Sequence, residues 1–103
     1  MSSSLIHSAA QRIAVAFDIG DVDGVPESIT LADIKSLLVD RLIELLSRNP
    51  ERLMAILYRI DVSESAVNDI FSKSMPPDVP ELLADLIIQR QLAKAESRAR
   101  YKS

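Results

Sequence analysis

Apolar residues recur at helical spacing along most of this chain, and most regularly between Leu31 and Ile60. Stepping 100° per residue from Leu31 places Leu31, Ile34, Leu38, Leu42, Leu45 and Leu46 on one broad face. Val39 and Ile43 lie at one border and Leu37 at the other, while Asp33, Asp40, Glu44 and Ser47 point the opposite way. Such a wide stripe belongs to a helix packed in a globular core. Thr30 with Asp33 three residues on has the form of a capping box, which places the helix start. Asn49-Pro50 ends that helix, because a residue before proline is pushed out of the helical region. The same dipeptide opens the next helix, with Asn49 as cap and Pro50 at the first position. There Leu53, Met54, Ile56, Leu57 and Ile60 share a face, and Arg52, Ala55 and Arg59 look away. A joint this short implies an antiparallel or sharply angled helix pair, each stripe covering the other.

Three further helices are predicted. The first spans 5–17, with Leu5, Ile6, Ala9, Ala10, Ile13, Ala16 and Phe17 on one face; its alanines let a neighbour approach closely. Another runs over 64–74 behind a Ser63 cap. The last, 79–100, follows the Pro76-Pro77 stop, with Asp78 and Glu81 as a second capping box. Leu82, Leu83, Leu86, Ile87 and Ala93 form one side of it, and Ile88 with Leu92 an opposite pair. A helix apolar on both sides must bury both. Either the bundle wraps it or a second copy covers the Ile88–Leu92 pair, and Ile88 and Leu92 are therefore the candidate interface. The expectation is an all-α, single-domain bundle of about five helices over residues 1–103, with 1–4 and 101–103 disordered.

The corner Ile60-Asp61-Val62-Ser63, followed by Val67, Ile70 and Phe71, resembles the helix-turn-helix of bacterial DNA-binding proteins across Leu53 to Phe71. The resemblance implies a second helix that reads base edges in the major groove. That helix should then present Arg, Lys, Asn or Gln. Here Glu64, Ser65, Asn68, Asp69 and Lys73 face out, and two acids repel the phosphates that supply most of the affinity. Asp61 also stands where the family usually has glycine.

Charge sharpens the picture. The chain of 103 residues has net charge −3. Residues 90–103 hold five cations against one acid, so the tail is +4 and the rest −7. Arg90, Lys94, Arg98 and Lys102 repeat every four residues along one side of the last helix, a candidate strip for an acidic partner. The alternative is that cations simply suit a helix C-terminus.

Little chemistry is visible. Without cysteine there is no disulfide, thiolate metal site or cysteine nucleophile. His7 is the one histidine and falls on the polar side of its helix, which suits a surface role rather than a triad. Both glycines lie in the acidic loop 18–29, so no phosphate-cradling loop exists. In that loop Asp21, Asp23 and Gly24 suit calcium-loop positions three, five and six, but Ile19 and Thr30 then fall where acidic oxygen ligands are required. An Asx-turn loop explains the same residues. Asp40 and Glu44, four apart on a solvent face, suit solvation better than acid–base work. No uncharged run approaches the ~20 residues that span a bilayer, and no basic stretch precedes the apolar start, which together favour a cytoplasmic protein without membrane attachment.

The sequence thus predicts a protein-interaction or structural domain that self-associates as a homodimer, with no catalytic residue, cofactor or metal. The alternative is a nucleic-acid-associated regulator using the helix-turn-helix-like corner or the basic last helix.

Overall fold

A computed structural model describes residues 3–19, 25, 26 and 28–102, with side chains for 5–19, 25, 26 and 28–100. Among these residues the chain forms five α-helices, one 3-10 turn and no strand. The helices are α1 (Ser3–Phe17), α2 (Leu31–Arg48), α3 (Pro50–Arg59), α4 (Glu64–Lys73) and α5 (Val79–Lys102). The all-helical bundle expected from periodicity is the fold. None of these helices is long and apolar enough to cross a membrane.

Local chemistry sets the boundaries. Asp33 N–H donates to Thr30 Oγ1 at 3.1 Å and Thr30 N–H to Asp33 Oδ2 at 3.2 Å, completing the capping box of α2. Asn49 closes α2, its N–H reaching Leu45 O at 2.8 Å, and starts α3, its Oδ1 accepting from Arg52 N–H at 3.1 Å. Ser63 Oγ accepts from Ala66 N–H and so caps α4. At the start of α5 the expected capping box gives way to a 3-10 turn, Pro76–Asp78, that feeds directly into the helix. Consecutive prolines fix φ and supply no donor, which favours this tight entry. The far end also differs from expectation: α5 stays helical through Lys102.

The long helix α5 is the centre of the bundle, packed against α1, α2, α4 and the 3-10 turn. Its extensive seam with α1 fits the small residues both helices bury, Ala9 and Ala10 on α1 and Ala84 and Ala95 on α5. One core cluster joins Ile13 and Phe17 of α1, Leu38 and Leu42 of α2, Leu53 and Leu57 of α3, Val67 of α4 and Leu83 and Ile87 of α5.

The faces of α5 differ from the predicted ones. Val79, Leu83, Ile87, Gln91 and Ala95 form one buried row, and Pro80, Ala84 and Ile88 form the row beside it. Leu82 is 40 % exposed and Ala93 is exposed. Ile88, the candidate interface residue, is 7 % exposed and belongs to the core, and Leu92 is half-buried against it. A helix touched from several sides buries a double row spaced by four, so the Ile88–Leu92 pair is wrapped by its own bundle and offers no free strip for a second copy.

Two substitutions check this assignment. Ile88→Ala should lower unfolding free energy by about 2–4 kcal/mol, as loss of a buried aliphatic side chain does. Leu82→Ala should cost under about 1 kcal/mol. Urea titration followed by circular dichroism separates the two, and equal costs would contradict the placement of α5.

Candidate functional site

Three of the four basic positions singled out on α5 have described side chains, and two of them turn inward. Their target is the end of α3. Val62 N–H bonds Leu57 O and Asp61 N–H bonds Tyr58 O, both at 3.1 Å. This is a Schellman closure, with Val62 and Leu57 both buried beside it. It requires a left-handed residue after the helix, and Asp61 takes that place at φ 64°. Aspartate tolerates the region better than most non-glycine residues. The corner therefore keeps its turn with aspartate where the resembled family uses glycine.

The closure leaves the carbonyls of Ile60 and Asp61 without helical partners. α5 supplies them. Lys94 Nζ donates to Ile60 O at 3.0 Å, and Gln91 Nε2 donates to the same oxygen at 3.3 Å. Arg90 Nε donates to Asp61 O at 3.0 Å, while its Nη2 pairs with Asp61 Oδ2 at 2.7 Å. Two cations thus meet the negative end of the α3 dipole. The Arg90 hydrogen bond and charge, with Lys94 beyond, lower the Asp61 pKa from its usual 3.8. Gln91, 1 % exposed, is the one fully buried polar side chain among the described residues. Sequence reading passed over it, although 87, 91 and 95 repeat every four residues.

A parallel arrangement ends α1. Asp18 sits at φ 56°, Ile19 N–H bonds Ala14 O at 2.9 Å, and Arg41 Nε on α2 donates to Phe17 O at 2.8 Å. Asp18 is thus a helix terminator, whereas Asp21, Asp23, Gly24 and Glu27 of the acidic loop lie outside the described residues. His7, expected at the surface, is half-buried, and its Nε2 lies 2.8 Å from Val25 O, tying α1 to the far side of that loop.

The remaining basic positions are peripheral. Arg98 is exposed on the last turns of α5, where every described side chain from Glu96 onward is exposed. Arg100 pairs with Glu96 at 2.7 Å. The Lys102 side chain lies outside the described residues. On α4 the outward residues are Glu64, Ser65, Asn68, Asp69 and Lys73, and Lys73 pairs with Asp69. A cavity of about 80 Å³ lies between α1, α2 and the loop. Its walls, among them Ile13, Ile19, Val25, Ile34 and Leu37, are wholly aliphatic and carry no group able to do chemistry. No three carboxylate or histidine side chains converge among the described residues.

Asp61 yields a pH test. A carboxylate whose folded-state pKa is lowered contributes stability that is fully present above 3.8 and is lost as pH falls through the lowered value. Wild type should therefore exceed Asp61→Asn in stability above pH 3.8, and the gap should close on further acidification. The pair is exposed, so the gap should be small, of the order of surface ion pairs. Chemical denaturation across acidic buffers reads it, and a gap that does not vary with pH would refute the pairing.

The chain matches no known protein-family model, no curated protein and no solved structure.

Proposed function

We propose that this chain is a non-catalytic protein-interaction domain that associates with itself as a homodimer. The observation that carries this reading is the outer surface of α2 and α3. Ile43 is 48 %, Met54 41 % and Tyr58 86 % exposed, although their helices already fill the core from the opposite side. Single exposed hydrophobic residues need no explanation, but Met54 and Tyr58, four residues apart, are neighbours on α3, and adjoining exposed apolar side chains are candidates for contact. Arg52 and Arg59 share another side of α3, and Tyr, Met and Arg are the residue types enriched in protein interfaces. Since Ile88 serves the core, self-association is assigned to these residues instead. Arg98 and Lys102, at the end of α5, remain the proposed contact for an acidic partner.

The nucleic-acid reading has less support. The outward face of α4 carries two acids against one cation, and Arg90 and Lys94 are occupied by α3.

Light scattering on a sizing column should give twice the chain mass of 11.4 kDa at tens of micromolar protein. Mixing with generic duplex DNA or RNA at low salt should leave mobility unchanged. A monomer throughout the accessible concentration range would defeat the homodimer reading, and a salt-sensitive mobility shift would promote the nucleic-acid one.

A further inference from the structure

We draw no further inference here: the strongest candidate, the aliphatic cavity between α1, α2 and the loop that joins them, has no polar group in its walls to orient a ligand, and its wall residues Ile19 and Val25 flank residues 20–24, which lie outside the described residues, so nothing in the structure shows what covers it.

Discussion

The fold depends on how the end of α3 is satisfied. A helix that stops leaves carbonyls facing outward, and the left-handed Asp61 turns two of them, those of Ile60 and Asp61, toward α5. Arg90, Gln91 and Lys94 then bond them from consecutive turns of one helix. Burial along Leu83, Ile87 and Ala95 is strong but undirected, since aliphatic contacts tolerate sliding. Hydrogen bonds to particular oxygens do not, so the corner pins the axial position of α5 and, through it, the surfaces of α1 and α2 that pack on it.

How much of this was legible in the sequence follows from the range of each signal. Helix starts depend on residues three apart, and Thr30, Asn49 and Ser63 cap as read. Faces of helices packed on one side were also readable, as on α2, where Ile34, Leu38, Leu42 and Leu45 are buried. α5 was misread because it is enclosed from several directions. Its apolar residues are then no longer gathered on one arc: Leu82 and Ala93 were counted inward, and Ile88 was set on a separate side to be covered either by the bundle or by a second copy. Met54 was assigned to the α3 core face but sits at its edge, 41 % exposed. The roles of Arg41, Arg90 and Lys94 were invisible for another reason. Each bonds a backbone oxygen more than twenty residues away, and no local pattern announces that.

This reassigns the meaning of the basic tail. Charge counting splits the chain into an acidic body and a cationic end, as though the end were reserved for something external. In the folded protein the first two cations of that end neutralise the termination of α3, and only the portion past Ala95 projects into solvent. Positive charge that makes no hydrogen bond or ion pair with the described residues is spread over Arg12, Arg48, Arg52, Arg59 and Arg98, on four different helices. Net charge by segment is a poor guide to surface charge when helix ends consume cations from elsewhere.

Asn49 has a further consequence. One residue terminates α2 and initiates α3, so the chain holds no slack between them. A single inserted residue inside the first turn of α3 would turn the following helix by about 100°. Leu53, Ile56 and Leu57 would swing away from the interior together. Length variation is therefore forbidden here, and the end of one helix and the start of the next are written into a single residue.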